Sequence, residues 1–361
     1  MILISSELRK RTRVAYALRR VPLSAMTHIV PCPINPSAGT LALGTLAKIG
    51  KNARLELADG RLATLHEGDT LALVFGNRYA TEQFEGYAGT DADNCDLLSI
   101  GGLCGVVTSK HATVGDPSKL HLLGAIASVQ GLPLQLRQFA VTTPPMELHH
   151  RPRIIVVCGT SMDSGKTYAA MSLIVGLRRQ GLRVAGIKLT GTAAGRDTWA
   201  MHDAGACIAL DFIDGGYPST YLCEPGQILE MSEQLITHAT EHQADWAVME
   251  IADGLLQRET AALLQSASFM SQVTACVFTT GDPLGAVGGV SVLRRWGITP
   301  VVISGLITRS PLAMREAQSA TGIRCMTAEE LQSGDLNNVV SEAPYIPNRI
   351  DIDGFREYGS A

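Results

Sequence analysis

From about Pro22 to Val141 the apolar positions recur in short alternating runs broken by Gly, Asp and Pro, as in ARLELADGRLATL, GDTLALVFGNRY and GGLCGVVTS. A period of two with DG and GD turns predicts strands of ~5 residues and a small β-rich barrel or sandwich. From Arg153 the texture changes. Runs rich in Ile and Val (IIVV, RVAGIKL, WAVMEI, ACVFTT, VVISGLI) alternate with longer amphipathic stretches. That alternation predicts parallel strands wound with helices. The expected fold class is therefore α/β, a doubly wound, mostly parallel sheet preceded by a smaller β-rich, barrel-like domain. The expected units are residues 1–145, with a helix at the start, then 151–335, then an irregular tail over 336–361. Between the two units TTPPMELHHRP reads as a linker, and its His149 and His150 read as a solvated pair with no third metal ligand. No internal repeat or low-complexity tract is present.

Composition narrows the classes. At 361 residues the chain predicts two domains of roughly 150 residues each. Hydrophobic residues at 46% against 18% charged, with mean hydropathy +0.14, exclude a disordered chain. Thirty Lys and Arg against 34 Asp and Glu give a net charge of −4, so no bulk positive field exists for nucleic acid or an anionic membrane. Aromatics at 5% argue against a base-stacking platform. Apolar stretches such as Ile154–Cys158 and Val301–Ile303 are far shorter than the ~20 residues that span a bilayer. The start MILISSELRKRTRVAYALRR lacks the apolar core of a secretory signal. Its six basic residues between Arg9 and Arg20 read as a solvated helix face in preference to a transit peptide. Eight cysteines without CxxC spacing read as reduced thiols of a cytoplasmic protein, not a zinc site.

The chemistry concentrates in RIIVVCGTSMDSGKTYAAMSLIVGLRRQG, which starts at Arg153. A β-branched strand enters a loop bounded by Gly159 and Gly165, then Lys166, Thr167 and an amphipathic helix. This is the strand–loop–helix context of a phosphate-binding loop. Backbone N–H groups of Gly159, Thr160, Ser161, Asp163, Ser164 and Gly165 can turn inward around a phosphate, and the helix N-terminus adds partial positive charge. Lys166 can reach the β- and γ-phosphates, and the Thr167 hydroxyl can ligate Mg²⁺. Bound ATP and Mg²⁺ are the expected cofactors. Without an NKxD-like base-reading motif, ATP, GTP and CoA all stay open.

Five residues separate Gly159 from Gly165, so GTSMDSGKT resembles the loop of the dethiobiotin synthetase family. That family belongs to a wider group of cobyric-acid-synthase-like and MinD-like ATPases. MinD-like members carry a signature lysine where this chain has Ser161. The resemblance implies a homodimer, a substrate-contacting role for Lys188 in IKLTGT, and Mg²⁺-binding roles for Asp197 in GRDTW and Glu250 in WAVMEIADGLL. Ile251 and Asp253 break the glycine-rich segment that follows the glutamate in that family. ISGLITRS, with Arg309, occupies the place of its base-recognition segment. TGTAAGRD and GACIALDFIDGG resemble a second family of P-loop proteins, some of whose members are D-glutamate N-acetyltransferases. Both resemblances cover roughly Arg153 to Leu331.

Other residues carry weaker signals. Glu250 follows a buried-looking strand, and carboxyl ends of parallel strands are where ligands bind. Asp211 and Asp214 in LDFIDGG fit an Asx turn. Asp282–Pro283 fits a Gly/Pro turn near the nucleotide. Arg78, Tyr79 and Glu82 in GNRYATEQ fit a salt-bridged turn or a substrate contact. The leading expectation is an ATP- and Mg²⁺-dependent ligase or synthetase. It would phosphorylate a small acidic substrate, a carboxylate or carbamate, with Lys166, Lys188 and Glu250 in catalytic roles and Thr167, Asp197 and Glu250 at the metal. Two other readings remain: an N-acyltransferase acting on a small amino acid, with the loop cradling CoA phosphates, and a nucleotide-switched binding protein or chaperone. No nucleic-acid or membrane partner is expected.

Overall fold

The computed structural model describes residues 1–92, 94–142 and 151–335. Residues 143–150 of the expected linker, His149 and His150 among them, and the expected tail 336–361 lie outside the described residues.

Five N-terminal strands pair in a ring. Leu41–Lys48 pairs with Thr70–Phe75, which runs parallel to Leu103–Lys110. Leu103–Lys110 pairs with Asn94–Leu97, and Asn94–Leu97 with Ser118–Ala127, which returns to Leu41–Lys48. The ring closes a small barrel, so these strands leave no unpaired edge between them. Shorter strands extend it, and Arg54–Glu56 and Leu62–Thr64 form a separate two-stranded ribbon. Every residue of Thr70–Phe75 is buried. One of its faces cannot be solvated, because Arg13–Val14 pairs beside it and the 3₁₀ turn Tyr16–Leu18 packs onto it.

The C-terminal sheet is wholly parallel. Its spatial order is Ile208–Asp211, Val184–Lys188, Trp246–Glu250, Arg153–Gly159, Val273–Thr279, Val302–Ser304. Side chains alternate between two cores, as a period of two requires. Ile155 and Val157 pack with Ala169, Leu173, Ile174 and Leu177 of the helix Lys166–Arg179. Ile154, Val156 and Cys158 face the opposite core, with Ile236, Val290 and Leu293. Helices thus cover both faces, and the sheet is doubly wound. The chain leaves Arg153–Gly159 toward one side, returns to Trp246–Glu250, then crosses to Val273–Thr279. That reversal makes the carboxyl end of Arg153–Gly159 a topological switch point, the position where open α/β sheets bind ligands.

The barrel meets this carboxyl end. The Arg19 guanidinium pairs with Asp211 at 2.8 Å and Asp214 at 2.6 Å, and the Tyr16 hydroxyl donates to Asp211 at 3.0 Å. The Ser99 hydroxyl donates to the Ala193 carbonyl at 3.2 Å. These contacts correct the reading of the basic N-terminal run as a solvated face at Arg19, while Lys10, Arg11 and Arg20 are exposed as expected. Arg19 is mostly buried because two buried carboxylates across the interface hold it. The Asx turn at Asp211 is present, with Ile213 N–H donating to its Oδ1 at 2.7 Å, but both aspartates serve the interface. No disulfide joins the eight cysteines. Among the described residues no helix is long and apolar enough to cross a membrane.

Candidate functional site

The loop after Arg153–Gly159 is bolted in place from beneath. The Ser164 hydroxyl shares a hydrogen bond with Thr279 Oγ1 at 2.8 Å, and Ser164 O accepts from Leu306 N–H at 3.1 Å. Thr160 N–H donates to Thr279 O at 3.0 Å. Gly165 caps the helix at φ +96°, and a Cβ there would lie 2.8 Å from Gly305 Cα, so only glycine fits. Asp163 also lies in the left-handed region, at φ +56°, with its side chain exposed. Lys166 is 6% exposed, and its ammonium reaches back across the loop to the Ser161 carbonyl at 2.7 Å. Burial lowers the Lys166 pKa, and the field of Glu250 opposes this.

Three neighbouring strands end side by side at this loop, with Lys188 in register with both Glu250 and Asp211. The Thr167 hydroxyl sits between two carboxylates, 3.1 Å from Asp197 Oδ1 and 3.2 Å from Glu250 Oε1. The Lys188 ammonium ion-pairs with Asp197 and lies 3.4 Å from Glu250 Oε1. Glu250 is 2% exposed, and its Oε2 is buried without a hydrogen-bond partner among the described residues. It caps no helix, since the next one spans Arg258–Leu264. Lys166, Thr167, Lys188, Asp197 and Glu250 are therefore brought together, although 84 residues separate the first from the last in sequence.

Hard oxygen donors dominate this cluster: one hydroxyl and two carboxylates, one with an unpartnered buried oxygen. That set suits Mg²⁺, which favours oxygen ligands and keeps waters or phosphate oxygens in its remaining positions. Among the described residues no group of three or more His, Cys, Asp or Glu stands close enough to hold a metal by itself. The protein thus offers part of a coordination shell, as a site completed by nucleotide phosphates does.

Sequence reasoning missed Asp253 as a site residue. It lies in the left-handed region at φ +62°, and Gly254 behind it packs on the Thr160 carbonyl. Burial raises the Asp253 pKa, while the fields of Lys166 and Lys188 lower it. Among the described residues no side-chain hydrogen bond or ion pair holds its carboxylate. From the barrel side, the Arg78 guanidinium, which lies over the Phe84 ring, is near enough for its charge to act on Asp253. Burial lowers the Arg78 pKa and Asp253 opposes this, and Arg78 Nε is buried without a partner among the described residues. Arg78 Nη1 donates to the Leu98 carbonyl. Next to it, the Tyr79 ring lies 5.4 Å from Tyr221, and the Thr81 hydroxyl lies 4.0 Å from the Met162 sulfur at the tip of the loop. The turn at Thr81 thus touches the tip of the phosphate loop, whereas Arg78 bridges to Gly86 with no ion pair among the described residues, in place of the expected salt-bridged turn, and Glu82 is exposed. Asp282 caps the helix Pro283–Arg295, accepting from Gly285 N–H at 2.8 Å, and Arg309 is exposed.

No family model matches the chain, and no curated protein does. Among solved structures, the 54 kDa signal recognition particle protein of Aeropyrum pernix K1, solved with GDP, is 18% identical with a TM-score of 0.37. That match covers 55% of this chain and 50% of the other. The signal recognition particle receptor FtsY of Elizabethkingia anophelis is 11% identical with a TM-score of 0.36, covering 53% of this chain and 66% of FtsY. The same receptor with GDP gives 12% identity and a TM-score of 0.34, covering 56% and 67%. This chain therefore matches half the length of the first of these proteins. At such scores the likeness is loose, and the doubly wound P-loop NTPase fold rests on the strand order and the Gly159–Thr167 loop themselves.

Proposed function

We propose that the chain is a Mg²⁺- and nucleoside-triphosphate-dependent enzyme of the ligase or synthetase type, one that phosphorylates a small acidic acceptor. One observation carries the reading: the Thr167 hydroxyl lies between Asp197 and Glu250, beside Lys166 and Lys188, at the switch point of the sheet. The Gly159–Gly165 backbone and the helix N-terminus would hold the phosphates. Lys166 would turn from the Ser161 carbonyl to the β- and γ-oxygens. Mg²⁺, held by Thr167, Asp197 and Glu250, would neutralise charge on the phosphates when bound. Lys188 and Arg78 would orient the anionic acceptor from opposite sides, with Asp253 between them as a carboxylate able to take a proton. Positioning and charge neutralisation supply most of the rate in such chemistry.

A barrel contribution supports an acceptor reaction over a bare switch: Thr81 touches the loop tip, and Arg78, whose charge acts on Asp253, has a buried guanidinium nitrogen with no partner among the described residues. Product analysis tests the proposal. Incubation with Mg²⁺, ATP or GTP and a panel of small carboxylates and amines should give nucleoside diphosphate and phosphate at a rate that one acceptor raises. Free CoA released from acetyl-CoA would instead support acyl transfer. Slow hydrolysis indifferent to every acceptor would support a nucleotide switch.

A further inference from the structure

The helix Arg196–Asp203 carries Asp197 yet has no side-chain cap of its own, since Gly195 stands at its start. The barrel supplies one. Glu56, at the end of the ribbon strand Arg54–Glu56, accepts from Gly195 N–H at 2.8 Å and from the Trp199 indole N–H at 3.0 Å. Glu56 is 4% exposed, and its negative charge faces the positive end of the helix. A Cβ on residue 195 would lie 2.4 Å from Glu56 Oε1 and 2.5 Å from Trp199 Nε1, so the approach requires glycine. On the other flank the Thr198 hydroxyl donates to Asp211 at 3.1 Å, and Asp211 is held by Tyr16 and Arg19 of the barrel. The residues on both sides of Asp197 are thus anchored to barrel groups or to a carboxylate the barrel holds.

We propose that Glu56 is a positioning residue for the metal–phosphate site, capping the Asp197 helix from the barrel so that Asp197 faces Thr167. The inference rests on the reading of Thr167, Asp197 and Glu250 as the Mg²⁺ site. It gives the N-terminal barrel a defined part in nucleotide chemistry: with Glu56 in place, the carboxylate that completes the metal site is held ready. An interface contact that serves only docking would not distinguish metal-bound from metal-free nucleotide.

The test uses the full chain and calorimetric titration of ADP and GDP, each with and without Mg²⁺, on wild type and Glu56→Gln. Glutamine keeps the size but loses the charge, and its one amide oxygen can accept from only one of the Gly195 and Trp199 N–H groups. The expected result is unchanged metal-free affinity and an about tenfold smaller Mg²⁺ enhancement, the scale of one charge-assisted hydrogen bond. Trp199→Phe, which removes one of the two bonds, should lower the enhancement less, and it decides the matter if Glu56→Gln does not fold. If wild type shows no Mg²⁺ enhancement, the metal-site reading fails and this inference with it. Equal enhancement in wild type and variants overturns the role of Glu56 alone and leaves the metal site standing. An equal loss of metal-free and metal-bound affinity marks Glu56 as merely structural and also overturns it.

Discussion

Replacing Lys188 by methionine keeps the four-atom stem and removes only the ammonium. Lys188 is 8% exposed and is paired with Asp197 and Glu250, whose side chains are 21% and 2% exposed. Breaking a buried pair by removing one partner costs about 3–5 kcal/mol, because a buried charge is left behind. Two features reduce that figure here. Glu250 keeps its hydrogen bond from Thr167 at 3.2 Å, and Asp197 retains some solvent. A loss of roughly 2–3 kcal/mol remains, which for a domain of this size lowers Tm by roughly 5–10 °C. Mg²⁺ with nucleotide should restore more stability to the variant than it adds to wild type, since added positive charge then meets two uncompensated carboxylates. Thermal and urea denaturation, each with and without Mg²⁺–nucleotide, read both effects. Lys188→Met with Glu250→Leu should be less destabilised than the two single losses sum to, as a coupled pair requires. A Lys188→Met protein as stable as wild type, or strictly additive losses, would refute the reasoning.

Three further outcomes are expected. Glu250→Gln should raise the Mg²⁺ requirement for turnover while metal-free nucleotide affinity changes little, since the amide is the poorer ligand for a hard cation; superimposable Mg²⁺ titrations reject the metal role. Gly165→Ala should abolish nucleotide binding and cost more than about 1 kcal/mol, because φ is +96° and the new methyl meets Gly305; retained affinity would show that the loop can shift. Asp253→Asn should raise Tm at neutral pH while slowing turnover. The folded pKa of Asp253 is raised above its ordinary 3.8, so its contribution to stability is fully present below 3.8 and is lost as pH rises through the folded value. Asparagine escapes that loss and tolerates the left-handed backbone. The gain in Tm should therefore shrink to nothing as the pH is lowered into the ordinary aspartate range, and a pH-independent difference would count against it.

The wound sheet was legible because its signals are local. IIVV, RVAGIKL and WAVMEI each announce a strand buried on both faces, and GTSMDSGKT fixes the loop between strand and helix. The carboxyl-end rule points to Glu250, which closes the strand next to the loop, and the resemblance points to Lys188, which closes the strand beyond it. Barrel closure was less legible, because it depends on Asn94–Leu97 joining Leu103–Lys110 to Ser118–Ala127. No local pattern specifies that pairing. Glu56 shows the same limit. In LELADG it has the spacing of an exposed strand position, and only the helix start at Gly195, 139 residues away, makes it a buried acceptor. Arg19 hides within a basic run for the same reason, its carboxylate partners lying 192 and 195 residues downstream. Asp253 did leave a trace, as a departure from the glycine-rich segment of the dethiobiotin synthetase family, but its left-handed backbone and its place among Lys166, Lys188 and Arg78 are tertiary facts.

The central claim is that the Gly159–Thr167 loop binds the phosphates of a nucleotide, with Lys166 as their principal cation and Mg²⁺ as a co-ligand. Calorimetry on wild type and Lys166→Ala, titrated with ATP, GTP and CoA in the presence and absence of Mg²⁺, tests it most directly. Removing a charge-assisted contact of this kind costs about 1.5–3 kcal/mol, roughly 10- to 150-fold in affinity. The account predicts Mg²⁺-enhanced binding of a nucleoside triphosphate by wild type and a loss of that size in Lys166→Ala, with the fold intact by circular dichroism. Equal affinity in the two proteins, or no binding of any triphosphate by wild type, would contradict it.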